Sequence, residues 1–575
     1  MMSRSQSVQP TRMTWLSRLA AKLAFVVSLL WLPSPAVLAL DSPLHSHPSA
    51  YIALHANDPI NWQLWGPEAM QLAQEQQKPI FISSGYFACH WCHVMHEENY
   101  QDPLIAELLN QHFISVKIDR ELLPDLDDYL LNRLRAATGS AGWPLHGILT
   151  PEGQLFSGFV YQPRDTLLQT LLHLNHWWRE DADRIRTLSR PNTQANETLI
   201  SRAQLESDIA SQLLNIMDSF EGGINQTQKF PHSPLLLSTL KQQNLDHDTI
   251  DWIKTTLDQM QTEHLRDHIH QGFFRYTVDP NWQEPHFEKM LYDNAQLAEL
   301  FFIAGAKFDR ADFISTAIDT LNYVENELLS PITGLAQSSQ SAIDERGIDG
   351  ARYIWSRNQL IEQLDSHLFE IVNSAWQLDG VPPFELGWLP KPIDSTHWPD
   401  IQQALASRPA ITDDKQLLSW NGLLIRSYLH GYLTTQNPHF KHQMISLAHR
   451  LNHLLSLAEP PRALNNTGQL VEKATLEDFA YVISAFEDMA HYLNDVYWAD
   501  QATKLRILAK QQFFINDQWH TSTQALLPGQ SRYFDLIDLA TPSSTAIMRC
   551  AEPKIAISAD FQPWQYASYL RYHCE

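Results

Sequence analysis

The densest reactive chemistry in the chain lies in one short run, Cys89-His90-Trp91-Cys92-His93, with His96 three residues further on. Two cysteines separated by two residues at the start of a helix can close into a disulfide within one turn. The aligned peptide dipoles there stabilise a thiolate. On this reading Cys89 is the exposed attacking thiol and Cys92 the resolving thiol. His90, when protonated, adds positive charge that makes the pair more oxidising. The same letters also spell a c-type haem attachment sequence. Cys89, His90, Cys92, His93 and His96 together also offer enough sulfur and imidazole for a transition metal.

The surrounding elements favour the dithiol. Gly66 to Gln77 reads as an amphipathic helix stopped by Lys78-Pro79, and Ile80 to Ser84 (IFISS) as a short buried strand. After the cysteines come a helix at Pro103 to Gln111, a strand at Phe113 to Asp119 and a helix at Pro124 to Thr138. A strand at Leu145 to Thr150 follows Trp143-Pro144, a hairpin returns through Leu155 to Tyr161, and a helix runs from Asp165 to Trp178. Strand, C-x-x-C, helix, strand, helix, then proline at the head of a hairpin is the thioredoxin arrangement. It leaves no room for a macrocycle directly behind the strand. Neither a metal nor a cofactor is expected. In that arrangement the peptide before the proline is cis and faces the cysteines, a role that falls to Pro144, with His90 and Trp91 as supporting residues.

Beyond Asn196 the pattern turns to long amphipathic helices: Leu205 to Met217, Pro234 to Gln242, Thr249 to His268, Asn294 to Ala306, Phe313 to Leu328, Gln416 to Leu433, Phe440 to Ala458, Leu476 to Tyr497 and Asp500 to Phe514. Ala351 to Trp355 reads as a lone strand, and Trp376 to Arg408, rich in Pro and Trp, as a long loop. No fixed-period repeat supports a solenoid. Three polar clusters stand out: His286, Glu288, Tyr292 and Asp293; Asp413 and Asp414 with Trp420 and Asn421; and Glu477 with Asp478. On the inner helices of an α/α barrel, carboxylates of this kind could act as acid and base on a glycosidic bond, and a histidine could abstract a sugar proton. The alternative is that they cap helices and satisfy buried polar groups.

Several longer blocks carry a resemblance. DPINWQLW (58–65), KPIFISSGYFACHWCHVM (78–95), GWPLHGILTPEG (142–153), QKFPH (228–232), FFRYTVDPNWQEPHFEKMLYDNA (273–295), DDKQLLSWNGL (413–423) and LEDFAYVI (476–483) resemble the spermatogenesis-associated protein 20 family. The resemblance implies an α/β thioredoxin-like domain over 45–185, followed by an all-α (α/α) barrel over 198–575 similar to six-hairpin glycosidases and sugar 2-epimerases. It departs at HIHQGFF (268–274), SAGWP (140–144) and FSGFVYQP (156–163). It implies no established substrate.

Composition narrows the partners. A formal net charge of −24 argues against nucleic acid, whose phosphates need a basic surface. Residues 1–39 read as a signal peptide: a basic leader, a short apolar run from Leu23 to Leu32, prolines, then small residues ending at Ala39. The expectation is therefore an exported protein, periplasmic or extracellular, without a membrane span once the leader is removed. An uncleaved anchor is the alternative. In an oxidising compartment the remaining cysteines, Cys550 and Cys574, are candidates for a stapling disulfide. Expected partners are protein thiols or disulfides and a carbohydrate ligand.

Overall fold

The computed structural model describes residues 43–139, 141–189, 197–242, 244–394, 396–527, 535–558 and 561–572. The leader and Cys574 lie outside them.

Five strands, β1 (Gln63–Leu64), β2 (Ile80–Gly85), β3 (Ile114–Asp119), β4 (Leu145–Leu149) and β5 (Leu155–Phe159), form one sheet in the order β1-β3-β2-β4-β5. The pairs β1–β3 and β3–β2 are parallel, and β2–β4 and β4–β5 antiparallel. Every residue of β2, β3 and β4 is buried, as a strand covered on both faces requires. The side-chain period of two sorts the faces. Ile80, Ile82, Ile114, Val116 and Leu145 join helices α1 (Pro67–Gln76) and the later Pro124–Thr138 on one side. Phe81 and Ile148 face helices Pro103–His112 and Arg164–Leu188 on the other. These helices are numbered in turn: α2 is the cysteine helix His90–Met95, α3 is Pro103–His112, α4 is Pro124–Thr138 and α5 is Arg164–Leu188. Proline at the first turn of α1, α3 and α4 fixes where each begins. This is the thioredoxin-like unit.

His146 on β4 is fully buried, hydrogen-bonded to the Tyr100 hydroxyl at 2.8 Å and stacked on Phe159. Burial pushes its pKa down to about 3, so it stays neutral in the fold while the unfolded chain takes up a proton below its ordinary value near 6.5. That contribution to stability is therefore lost as pH falls through 6.5. Between pH 7.5 and 5 the loss is about 2 kcal/mol for this residue alone. His146→Phe is expected to remove it. Urea unfolding of both proteins at the two pH values should show their stability gap changing by that amount.

The helical unit is a closed ring inside a second layer. The helices of the ring and of the hairpins packed on it include α6 (Ser233–Lys241), α7 (Leu291–Phe308), α8 (Ala311–Tyr323), α9 (Leu418–Thr435), α10 (Pro438–Leu455), α11 (Leu476–Leu493), α12 (Val496–Phe513), α13 (Ser544–Met548) and α14 (Ser568–Arg571). Around the ring α6 packs on α7, α7 on α9, α9 on α11, α11 on α13, α13 on α14, and α14 returns to α6. Outside it α8 packs on α7, α10 on α9 and α12 on α11. The inner helices α7 and α9 are buried on nearly every side, whereas α10 and α12 bury one stripe, as inner and outer positions dictate. Glu299 of α7 binds Arg426 of α9 at 3.1 Å and Arg571 of α14 at 2.6 Å, tying three ring helices through one buried carboxylate. The chain is thus an α/β thioredoxin-like unit followed by an α/α barrel.

Two expectations change. Ala351–Trp355 is a turn whose Trp355 makes one bridge to Trp388, so it forms no strand in a larger sheet. The Pro- and Trp-rich loop contains a helix, Trp398–Leu405, because Pro399 sits in its first turn and Ile401 and Leu405, four apart, are fully buried. Among the described residues no helix is long and apolar enough to cross a membrane.

Candidate active site

The C-terminal end of β2 delivers Cys89 as the N-cap of α2, where its Sγ accepts the Cys92 amide hydrogen at 3.2 Å. The two sulfurs lie 2.6 Å apart, so a disulfide can form without backbone rearrangement. The strand must end in glycine here: a Cβ on Gly85 would sit 2.7 Å from Cys92 Sγ and 2.3 Å from the Tyr51 hydroxyl. Pro144 stands in a cis peptide after Trp143, and the Trp143 ring lies 6.0 Å from that of Tyr86.

Cys89 is not an exposed thiol. It is 2% exposed and Cys92 1%, because the helical unit closes over them. Glu288, on the approach to α7, accepts the Tyr86 hydroxyl at 2.6 Å, the His90 amide at 3.4 Å and Arg275 Nη1 at 3.3 Å. Arg275 Nε also donates to the Tyr292 hydroxyl at 2.9 Å. Burial alone would raise the Glu288 carboxyl, but His286, 3.8 Å away, and Arg275 hold it down to about 2. Cys89 moves the other way. Burial, the neighbouring Cys92 and the charge on Glu288 push its thiol well above the ordinary range, against the expected activated thiolate. His90 faces Asp349 at 3.5 Å and does not reach the sulfurs with a hydrogen bond.

Behind the pair, Lys117 of β3 is boxed by the rings of Tyr51, Tyr100 and Trp62 at 4.8, 4.7 and 5.3 Å. Its Nζ donates to Ser83 Oγ at 3.1 Å, and burial lowers it to about 8. The other histidines of the motif part company: His93 Nε2 meets the Phe87 carbonyl at 2.8 Å, and His96 Nε2 meets Asp58 at 2.7 Å. Neither the five-ligand metal reading nor the haem reading matches this arrangement, in which the sulfurs face each other in the interior. His55, Asp58 and His96 do bring donor atoms within 4.8 Å of one another, but as a hydrogen-bonded set.

Cys89 opens on a chamber of about 510 Å³ between the two units. The thioredoxin-like side contributes Tyr86, Trp91, Arg120 and Trp143, and the barrel contributes Arg275, Glu288, Tyr292, Asp293, Trp420 and Glu477. Five of the ten expected cleft residues, Glu288, Tyr292, Asp293, Trp420 and Glu477, therefore line the chamber. His286 stacks on Tyr276 beside Glu288, just behind the wall. Asp413, Asp414, Asn421 and Asp478 do not line the chamber. Asp413 is fully buried against Lys415. Asp414 accepts the Asn466 amide. Asn421 bonds Ala336 in both directions and the Leu417 carbonyl. Asp478 caps α11 and binds Arg462 at 2.8 Å. Each is a structural polar group. Arg120, Arg275 and Tyr86 are the wall residues that motif reading passed over. Tyr86 and the Arg-Tyr pair at 275–276 lie within the quoted blocks, which was the available signal.

Comparison with known proteins fits this architecture. A family model labelled Thioredox_DsbH, described as a protein of unknown function (DUF255), matches residues 41–196. Spermatogenesis-associated protein 20 of Mus musculus is 30% identical over 557 residues, covering 82% of this chain and 70% of the mouse protein. The chain belongs to the spermatogenesis-associated protein 20 family. The Rattus norvegicus member is 36% identical over 365 residues, 58% of this chain. That match spans 45% of the rat protein, so the chain corresponds to about half the length of that relative. Solved structures similar in shape include a D-mannose isomerase (11% identity, TM-score 0.40, 61% of this chain and 79% of that one). Another is a GH76 α-mannanase of Bacteroides thetaiotaomicron (11%, TM-score 0.37, 64% and 80%). At that distance neither bears on this family member's substrate.

Proposed function

We propose that the chain is an exported thiol–disulfide oxidoreductase whose Cys89–Cys92 pair exchanges electrons with a small thiol or disulfide admitted to the chamber. One observation carries the reading: Cys89 is buried from bulk solvent yet lines a cavity walled by both units. A protein thiol on a folded surface has no direct path to that sulfur, and a small molecule does. Cys89 attacks a substrate sulfur, and Cys92, already in contact, resolves the mixed disulfide. The Cys92 amide hydrogen is the donor placed on the transient Cys89 thiolate. Because Glu288 and burial disfavour that thiolate, the dithiol gains no stability from ionisation. The pair is expected to sit toward the reducing end, nearer about −270 mV than the about −120 mV of a strong oxidant. Equilibration with dithiothreitol or glutathione buffers, followed by alkylation of free thiols, measures this. A pair that never cycles overturns the reading.

A second reading, a carbohydrate-active barrel, is supported by two of the chamber carboxyls, which are of opposite habit. Glu288 is held ionised, while burial pushes Asp293 well above the carboxylate range, so it holds its proton. Oligosaccharide-induced thermal shifts that vanish in Asp293→Asn are the expected result if sugars bind there. No shift across a broad panel removes this alternative.

A further inference from the structure

Among the chamber-lining residues whose buried side chains carry an atom without a hydrogen-bond partner are Arg120, at Nη1, and Asp293, at Oδ2. The Arg120 guanidinium is held flat by rings, 4.0 Å over Trp143 and 5.0 Å over Tyr86, which fixes its plane and leaves an edge free for a ligand. The guanidinium of Arg275 is already engaged by Glu288, Tyr86 and Tyr292, and that of Arg462 by Glu477 and Asp478. Asp293 is 3% exposed. Folded chains leave buried donors and acceptors unpaired at a cost, and sites that await a ligand are where such groups persist. Together with the Cys89 sulfur, a positive donor and an acidic acceptor border one small volume.

Resting on the redox reading above, we propose that the chamber takes a small disulfide bearing an α-amino-acid group. The carboxylate binds Arg120, the ammonium binds Asp293, and the sulfur lies against Cys89. A guanidinium–carboxylate pair is charge-assisted and directional, and an ammonium draws the Asp293 proton off to form the matching ion pair. The reaction balances in two exchanges. Cys89 as thiolate attacks one substrate sulfur, forming a mixed disulfide and expelling the first thiolate, which leaves as a thiol with the proton Cys89 gave up. Cys92 as thiolate then attacks the Cys89 sulfur, closing the Cys89–Cys92 disulfide, and the second product thiol takes the Cys92 proton. Two electrons pass from the pair to the substrate, and an external dithiol returns them.

The full-length reduced protein can be mixed with cystine, cystamine (no carboxylates), 3,3′-dithiodipropionate (no ammoniums) and bis(2-hydroxyethyl) disulfide (neither). Loss of protein thiols is followed, and each rate is divided by that with dithiothreitol to remove intrinsic reactivity. Cystine is expected to exceed the other three by about tenfold or more, the discrimination of a site built for polar partners. Glutathione disulfide separates a free amino acid from a peptide-linked one. Arg120→Gln is expected to bring cystine to the cystamine rate, and Asp293→Asn to bring it to the dithiodipropionate rate. S-methylcysteine, which cannot exchange, is expected to slow cystine competitively in the unaltered protein, so the proposal stays testable if a variant fails to fold. Four equal normalised rates, or no competition, overturn the substrate class while leaving the redox reading standing. Failure to exchange with any disulfide and with dithiothreitol overturns both.

Discussion

Lys415→Met is expected to loosen the junction between the two units and lower stability by about 3–5 kcal/mol, the usual consequence of stripping one partner from a buried ion cluster. The ammonium is fully buried, 2.9 Å from Asp119 and 3.2 Å from Glu121 at the end of the thioredoxin-like sheet, and paired with Asp413 of the barrel. Three carboxyls thus share one cation. Burial would lower the lysine, but their combined charge raises it well above its ordinary value. Burial above all raises the Glu121 carboxyl of this group to about 7. Without the ammonium the remaining carboxyls hold their protons to still higher pH in the fold, while the unfolded chain releases them near 4.5 or below. The folded variant then binds more protons than the unfolded chain between pH 5 and 8, so its stability falls as pH rises. The deficit against the unaltered protein should therefore be larger at pH 8 than at pH 5 in urea unfolding. As the cover lifts, Cys89 should also alkylate faster. Equal deficits at both pH values would mean that these carboxyls do not depend on Lys415.

That junction also shows where sequence reading reaches its limit. The strand, the cysteines, α2 and the cis-proline hairpin were legible because continuous apolar runs, stop signals and a fixed motif lie within about a hundred residues of each other. The ring helices α6, α7, α9 and α11 were legible for the same reason, each announcing its own period, whereas α13 and α14, of five and four residues, are too short to show one. Asp413-Asp414 and Glu477-Asp478 look alike as acidic pairs. Only burial separates Glu477, on the chamber wall, from Asp478, spent on a helix cap and Arg462. Whether Cys89 is exposed depends on Glu288 and Arg275, almost two hundred residues later, and no local spacing encodes that. Arg120 illustrates the same point. Just past β3 it belongs to none of the motifs, and it becomes a chamber residue only once Trp143 and Tyr86 close on it. Local pattern sets the elements, and the chemistry of the site is set by what one unit buries on the other.

Glu288→Gln is expected to raise the reactivity of Cys89 without changing which cysteine attacks. The carboxylate is one of the three influences that lift the Cys89 thiol, after burial and Cys92, and it acts through an interior where charges are weakly screened. The amide keeps the shape, and its one carbonyl oxygen can still accept from either the Tyr86 hydroxyl or the His90 amide, but it carries no charge. It also leaves Arg275 with only phenolic partners, so the cation beside this wall is no longer offset by Glu288. Thiolate population rises tenfold for each unit by which the thiol falls, while intrinsic nucleophilicity drops by roughly the square root of that gain. Alkylation by iodoacetamide at pH 7 should accelerate about three- to tenfold, and the pH at which the rate levels off should move down. An uncharged Arg275→Met variant is expected to move the rate the opposite way, because it leaves Glu288 uncompensated beside the thiol. Some stability is lost in both variants, since each leaves one member of a buried pair unpaired. A purely structural role for Glu288 predicts that both variants change the rate in the same direction. Opposite shifts in the two pH profiles would instead identify charge as the quantity that this wall of the chamber controls.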